Sequence, residues 1–176
     1  MIIKAFLPCR SGSQRVKNKN IRKFDRYKFG LIELKIHQLT KVKQIDEIVL
    51  STDDEKIINY INKLNNKKIR LDFRPKKLST SKTKTDDLIK YVGNIFDKND
   101  HILWTHVTSP FFNEKNYEDA ISEYKKKIKK YDTLIGSNFI QDFIFDLKKP
   151  VNYNYKKTFW PNTQTLKKLY KINNTI

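Results

Sequence analysis

The chain has 176 residues, enough for one domain with a sizeable core and too few for two comfortable ones. No apolar run approaches the length that crosses a bilayer, and the first residues lack the basic, apolar and small-residue succession of a signal peptide, so we expect a cytoplasmic protein without a membrane partner. The formal net charge of +18 favours nucleic-acid binding. However, arginine is scarce and lysine is spread along the whole chain, which leaves nucleic-acid binding as an alternative and not as the leading hypothesis.

The chain opens with a short apolar strand that leads into a loop of small and basic residues. We predict the strand over residues 2–7 and the loop over residues 8–20. Small side chains let backbone N–H groups approach an anion closely, which favours a polyphosphate ligand. The cations that could neutralise such a ligand are Arg10, Arg15, Lys17 and Lys19. The loop has neither the Walker A spacing nor G-x-G-x-x-G, and a plain polar connection is the alternative.

A single cysteine, Cys9, lies where the strand passes into this loop. One thiol excludes an internal disulfide and a multi-thiolate metal site, and it fits a reducing compartment. Its position makes Cys9 a candidate nucleophile. Because no histidine lies near it in sequence, we favour a small buried hydrophobic side chain over a nucleophile.

Apolar runs and 3.6-residue patterns alternate along the rest of the chain. The predicted elements are a helix at 29–41, a strand at 47–51, a helix that opens with an N-cap at 52–55, a strand at 69–73, a helix at about 85–96, a central strand at 101–107, a helix at 117–130 and a further apolar run at 133–137. This order predicts an α/β fold of three layers, a mostly parallel sheet with helices on both faces. Because ligands of such sheets bind at the carboxyl ends of strands, residues 8–20, 51–53 and 108–110 are expected on one rim.

The pattern changes after residue 137, which divides the chain into an α/β domain at 1–137 and an arm at 138–176. The arm begins with aromatic and apolar residues between 139 and 147 and continues as a segment rich in Tyr, Asn and Lys. Exposed apolar residues outside a sheet commonly mark subunit contacts, so we expect a homodimer. An arm folded back on its own domain is the alternative.

Four segments, in a fixed order along the chain, carry a family resemblance. They are residues 8–21, 49–54, 73–78 and 107–110, and the arm segments 139–143 and 169–174 are similar to some members. Together they resemble the acylneuraminate cytidylyltransferases over essentially the whole chain. The resemblance implies a Rossmann-like nucleotidyltransferase fold, with CTP and a sialic-acid-like sugar acid as partners and Mg²⁺ as cofactor. In that reaction the anomeric hydroxyl of a 2-keto sugar acid attacks the α-phosphate of CTP, and pyrophosphate leaves.

The resemblance also implies roles for individual residues. The catalytic group implied is Arg10, Gln14 and Arg15; the nucleotide-binding group is Arg10, Gly12, Ser13, Asn20, Arg74 and Thr85; the sugar-binding group is His106 and Gln141. Three of these residues have an alternative interpretation. Arg74 is otherwise a solvated surface arginine, Thr85 a helix N-cap, and His106 a half-buried residue at a strand end.

Three departures from the family pattern bear on activity. Gln14 replaces a common lysine, although Arg15 could compensate from the next position, and His106 replaces a usual glutamine. Members also continue beyond the segment that ends this chain, with the aspartates associated with magnesium. The metal ligands are therefore unknown here, and Asp53 and Asp54 either reach a metal or cap a helix. A weakened homologue that binds nucleotide or dimerises without turnover is the second hypothesis.

Overall fold

The computed structural model describes residues 1–173 and 175–176, which divide into two compact units. Residues 1–134 with 175–176 form the first, here called the sheet unit. The described residues from 135 to 173 form the second, here called the arm unit. No helix in the described part of the chain is long and apolar enough to cross a membrane.

The sheet unit alternates strands and helices, as predicted. Its elements are β1 (Ile3–Pro8), α1 (Gly30–Lys41), β2 (Glu47–Thr52), α2 (Glu55–Leu64), β3 (Ile69–Phe73), α3 (Thr85–Ile95), β4 (His101–Trp104) and α4 (Glu114–Lys127), with a 3₁₀ turn at Lys76–Leu78. The strands pair in parallel in the order β3-β2-β1-β4. This architecture confirms the predicted α/β fold.

Alternating side chains of the strands reach two different helical layers. On one face, Ala5 and Leu7 of β1 pack in a core shared with α1, α2 and α4. On the other face, Phe6 and Val49 pack with Val92 of α3. The sheet is therefore covered on both sides, which gives the three layers expected from its apolar strands.

Two elements of the sheet unit differ from the prediction. β4 ends at Trp104, not at residue 107, and it lies at an edge of the described sheet instead of its centre. α4 begins at Glu114, three residues before the predicted start, because Asn113 and Asn116 form a reciprocal capping box. Apolar periodicity alone does not reveal such a cap, since its first turn carries no core residue.

The arm unit contains β5 (Ser137–Ile140), a 3₁₀ turn at Thr163–Thr165 and β6 (Leu169–Ile172). β5 pairs antiparallel with β6, and of the apolar run at 133–137 only Ser137 lies in a strand, which belongs to this pair and not to the parallel sheet. The partner strand lies some thirty residues further along the chain, which local periodicity does not show.

A buried asparagine organises the interior of the arm unit. The Asn152 side chain is 3% exposed, donates from Nδ2 to the carbonyls of Asp142 and Lys167, and accepts from the Ile144 N–H. Many large apolar side chains of this unit nevertheless remain exposed: Phe139, Phe145, Leu147, Phe159, Trp160, Tyr170 and Ile172. Exposed apolar residues were expected in the arm, and the homodimer that they favour stays a prediction.

Candidate functional site

The start of the basic loop is attached to the end of β2. The Cys9 N–H donates to the Ser51 carbonyl at 2.9 Å, and the Thr52 hydroxyl donates to the Cys9 carbonyl at 2.6 Å. The Asp53 carboxylate accepts two hydrogen bonds of 2.7 Å, from the Ser11 N–H and from the Ser11 hydroxyl. The rim predicted from the strand order therefore exists, and Asp53 holds the loop in place with both of its oxygens.

The loop then curls around the guanidinium of Arg10. Arg10 Nη1 donates to the carbonyls of Ser11 at 3.1 Å and Gly12 at 3.2 Å, and Gly12 has a φ of +66°, which glycine adopts without strain. Asn20 is buried and donates from Nδ2 to the Arg10 carbonyl at 3.1 Å. The described residues offer no acceptor to Arg10 Nη2 or Nε. These N–H groups remain available to an anion.

A pocket of about 110 Å³ opens between this loop and the segment that follows β4. Its lining residues are Pro8, Cys9, Arg10, Ser13, Lys19, Asn20, His106, Val107 and Thr108. Two of these side chains are cationic and none is acidic. A pocket with this lining suits a polyanion that can accept several hydrogen bonds at once.

His106 contributes a neutral imidazole to the pocket wall. It is half-buried, and its ring centroid lies 6.5 Å from that of Trp104. Burial lowers the pKa of His106 below its usual value, and the cation of Lys19 adds to the effect. At neutral pH the ring can therefore donate one hydrogen bond and accept another. The half-buried position agrees with the alternative interpretation, although β4 ends two residues before His106, and the contact of His106 with a sugar stays a prediction.

Arg74 is buried and hydrogen-bonds to Ser51 near the end of β2, at the rim. It is 6% exposed and donates from Nε to the Ser51 hydroxyl at 3.1 Å and from Nη2 to the Ser51 carbonyl at 2.8 Å. Burial lowers the pKa of Arg74, and Asp53 and Asp72 act in the opposite direction. The solvated surface arginine considered as the alternative is thus wrong. Arg74 is not among the pocket-lining residues, and its contact with a nucleotide stays a prediction.

Four other predicted residues lie outside the pocket lining. One of them is Gly12, whose carbonyl accepts from Arg10 and whose contact with a nucleotide stays a prediction. Gln14 and Arg15 are exposed in the same loop, whereas Lys19 lines the pocket. Thr85 is exposed as the first residue of α3, and Lys84 precedes it at the N-cap position, so the N-cap interpretation of Thr85 was wrong. The catalytic roles of Gln14 and Arg15 and the nucleotide contact of Thr85 stay predictions.

Gln141, predicted at the sugar, bonds within the arm unit. Its Nε2 donates to the carbonyls of Gln164 at 2.8 Å and Leu166 at 3.3 Å. Both amide hydrogens therefore have protein acceptors, and the Gln141 side chain links its own segment to the segment at residues 164–166. Its contact with a sugar stays a prediction.

The carboxylates nearest the loop are already engaged. Asp53 binds Ser11, and Asp54 caps α2 by accepting from the Lys56 N–H at 3.0 Å. Among residues 1–173 and 175–176, no group of three or more His, Cys, Asp or Glu side chains could hold a metal ion. The described residues do not fit a magnesium site by themselves, and the chemistry below includes no step through the metal.

Lys35 is a buried lysine, hydrogen-bonded to the segment after β4, to which the sequence analysis assigned no role. It lies on the apolar face of α1, between Ile32 and Leu39 at helical spacing, and it is completely buried. A lysine at a core position of an amphipathic helix was the available signal. Its contacts reach the segment that follows β4, as described below.

Cys9 is the small buried side chain that the sequence favoured. It is 1% exposed, and burial raises the pKa of its thiol to about 12. We therefore expect the folded protein to resist alkylation by a maleimide at pH 8, and the urea-unfolded protein to react at once. Mass spectrometry of the two samples measures this. Rapid labelling of the folded protein would contradict the assignment.

Residues 4–172 match the family model described as cytidylyltransferase. A search of curated proteins finds no match.

Two solved structures are similar in fold. One is a CMP:2-keto-3-deoxy-manno-octonic acid synthetase complexed with CTP, with a TM-score of 0.55 and 16% identity, covering 73% of this chain and 49% of that chain. The other is a 4-diphosphocytidyl-2C-methyl-D-erythritol synthase from Anaerococcus prevotii DSM 20548, with a TM-score of 0.60 and 22% identity, covering 97% of this chain and 68% of that chain. This chain spans about half the length of the first protein. Because the family model covers nearly the whole sequence, the chain belongs to the cytidylyltransferase family.

Proposed function

We propose that the chain binds CTP through the loop at residues 8–20 and transfers CMP to an acidic 2-keto sugar, with release of pyrophosphate. The observation that carries the proposal is the pocket itself. Arg10 and Lys19 face a cavity without an acidic side chain, at the carboxyl ends of parallel strands. Membership of the cytidylyltransferase family makes a cytidine nucleotide the first ligand to test.

The chemistry requires charge stabilisation more than it requires a reactive side chain. A hydroxyl oxygen of the acceptor forms a bond to the α-phosphorus, and the bond to the leaving pyrophosphate breaks. Negative charge then develops on phosphoryl oxygens, where fixed cations and N–H donors lower the barrier. Arg10 Nη2 and Nε and the Lys19 ammonium are the cationic donors among the described residues that line the pocket.

The acceptor class rests on the signature segments and on charge. The segments at 8–21 and 107–110 are similar to those of enzymes that activate sialic-acid-like sugars. A net charge of +18 also attracts a carboxylate toward the pocket. The 4-diphosphocytidyl-2C-methyl-D-erythritol synthase among the structural neighbours makes a polyol phosphate the competing acceptor class. We further propose that the exposed apolar side chains of the arm unit form a dimer contact.

A second function is favoured by one specific observation. The carboxylates beside the loop are engaged by Ser11 and by the N-terminus of α2, and Gln14 is uncharged. This arrangement supports nucleotide binding more directly than it supports turnover. A member of the family that binds CTP without transferring CMP is therefore the second candidate.

One experiment separates these functions. The purified chain is incubated with CTP, Mg²⁺ and, in turn, sialic, legionaminic, pseudaminic and octulosonic acids, and pyrophosphate release is measured. In parallel, CTP at about 100 times its Kd should stabilise the fold by about 2.7 kcal/mol. For a protein of this size that corresponds to a rise in Tm of roughly 5 to 10 °C.

The outcomes are distinct. Release that depends on both CTP and a sugar acid supports transfer, and stabilisation by CTP without release supports the second candidate. If CTP, ATP, GTP and UTP all leave the Tm unchanged, both functions fail. Binding to DNA that weakens steeply with salt, without any effect of nucleotides, would favour the nucleic-acid alternative.

A further inference from the structure

A fully buried ammonium group lies behind the wall of the pocket. Lys35 is 0% exposed, and its Nζ donates to the Ser109 carbonyl at 2.9 Å, the Phe112 carbonyl at 3.1 Å and the Tyr117 hydroxyl at 2.9 Å. All three acceptors are uncharged, so burial lowers the pKa of Lys35 to about 8, against a weaker opposing effect of Glu114. Burying a cation without a carboxylate partner is unfavourable, which sets Lys35 apart from an ordinary core residue.

The hydrogen bonds around Lys35 form a chain in which Lys35 donates to Tyr117 and Tyr117 donates to Thr105. The Thr105 hydroxyl donates to the Thr175 carbonyl at 2.9 Å, so in its 2.6 Å contact with Tyr117 it accepts the Tyr117 proton. The Tyr117 oxygen in turn accepts from Lys35. Thr105 is thereby connected to α1 through two side chains, immediately before His106.

A second side chain of α1 holds the same segment. Gln38, one turn after Lys35, is 4% exposed and donates from Nε2 to the Pro110 carbonyl at 2.9 Å. Lys35, Gln38 and Tyr117 together are called the buried clamp. The clamp donates hydrogen bonds to three backbone carbonyls, those of Ser109, Pro110 and Phe112.

The segment that the clamp holds carries one wall of the pocket. β4 ends at Trp104, so residues 106–108 are not fixed by a strand ladder, although His106, Val107 and Thr108 line the pocket. We propose that Lys35 is a positioning residue, which through the buried clamp sets the place of residues 106–108 and thereby the affinity of the pocket for CTP. This inference rests on the proposed function for its ligand, but not for its geometry.

The test compares Lys35 on α1 with Lys68 in the turn before β3, because both lysines donate to backbone carbonyls. Lys35→Met keeps an unbranched side chain, one atom shorter, and removes its donors. The matched control is Lys68→Met, because Lys68 Nζ donates to the carbonyls of Thr40 and Val42 at the C-terminal end of α1, away from the pocket lining. The Kd for CTP with Mg²⁺ is measured by calorimetry. The imidazole signals of ¹⁵N-labelled histidine are recorded by NMR, with His106→Gln to assign the signal of that residue.

We expect Lys35→Met to weaken CTP binding about 10-fold, in keeping with the loss of hydrogen bonds from a charged group. It should also move the His106 signals, whereas Lys68→Met should change affinity less than about twofold and leave those signals in place. A merely structural role would lower the Tm of both variants without moving the His106 signals. That result overturns the proposal.

Two provisions keep the test decisive. If Lys35→Met does not fold, Gln38→Met takes its place, because Gln38 Oε1 is a buried oxygen without a partner among the described residues and its removal relieves a penalty. It should shift the His106 signals and weaken CTP binding by a few-fold, and unchanged signals would refute the clamp. If the unaltered chain does not bind CTP, the proposed function fails, and the His106 signals alone decide whether Lys35 positions the wall.

Discussion

Arg10→Ala should weaken CTP binding by about 100-fold while the sheet unit stays folded. Hydrogen bonds from a charged donor to an anion contribute about 1.5 to 3 kcal/mol each, and the guanidinium has Nη2 and Nε free of described acceptors. The side chain packs in a surface loop and outside the hydrophobic core, so its loss removes only the two contacts to Ser11 and Gly12. Calorimetry with CTP measures the affinity, and circular dichroism on heating measures the Tm.

Arg15→Ala is the matched control for this prediction. Arg15 belongs to the same loop and carries the same charge, but it is exposed and does not line the pocket. We expect less than about a threefold loss of CTP affinity, as for a screened surface cation. The catalytic role predicted for Arg15 concerns turnover, which this affinity measurement does not read. Equal losses in the two variants would mean that net charge alone attracts the nucleotide. Unchanged affinity in Arg10→Ala would show that CTP binds elsewhere.

The parts of the site that the sequence predicted are those that follow from strand order. Parallel strands bring their carboxyl ends to one edge, so residues 8–20 and 51–53 had to meet. The Ser11 to Asp53 contacts show how closely they do. The position of polar residues that directly follow apolar strands can thus be predicted from sequence, because the end of each strand places them at the site.

The parts that were missed depend on contacts between elements. Arg74 was predicted at the nucleotide, with a solvated surface arginine as the alternative, because nothing in its neighbourhood reveals that Ser51 of the adjacent strand accepts its hydrogen bonds. Lys35 was assigned no role, because its acceptors lie more than seventy residues further along the chain. Contacts of side chains that join two distant segments cannot be predicted from local periodicity. Here such contacts determine where the pocket wall lies.

Gly30→Ala is expected to lower the free energy of unfolding by about 3 kcal/mol or more. Gly30 has a φ of +75°, and a Cβ there would lie 2.3 Å from the carbonyl oxygen of Arg22. A left-handed conformation costs a non-glycine residue about 1 to 3 kcal/mol, and the collision with backbone adds to this because no flexible side chain can move aside. Urea denaturation measures the change.

Gly93→Ala should raise the free energy of unfolding and serves as the control. Gly93 is an exposed residue inside α3, and nothing lies within 4 Å of an added Cβ. Alanine there should stabilise the helix by about 0.5 to 1 kcal/mol.

The consequence of Gly30→Ala for function follows from its neighbours, because Arg22 comes two residues after Asn20, and the Asn20 carbonyl accepts from the Ile32 N–H of α1. Displacement of this stretch should pull Asn20 away from Arg10 and weaken CTP binding even in the protein that remains folded. If Gly30→Ala proved as stable as the unaltered chain, the close packing of the loop against the start of α1 would be refuted.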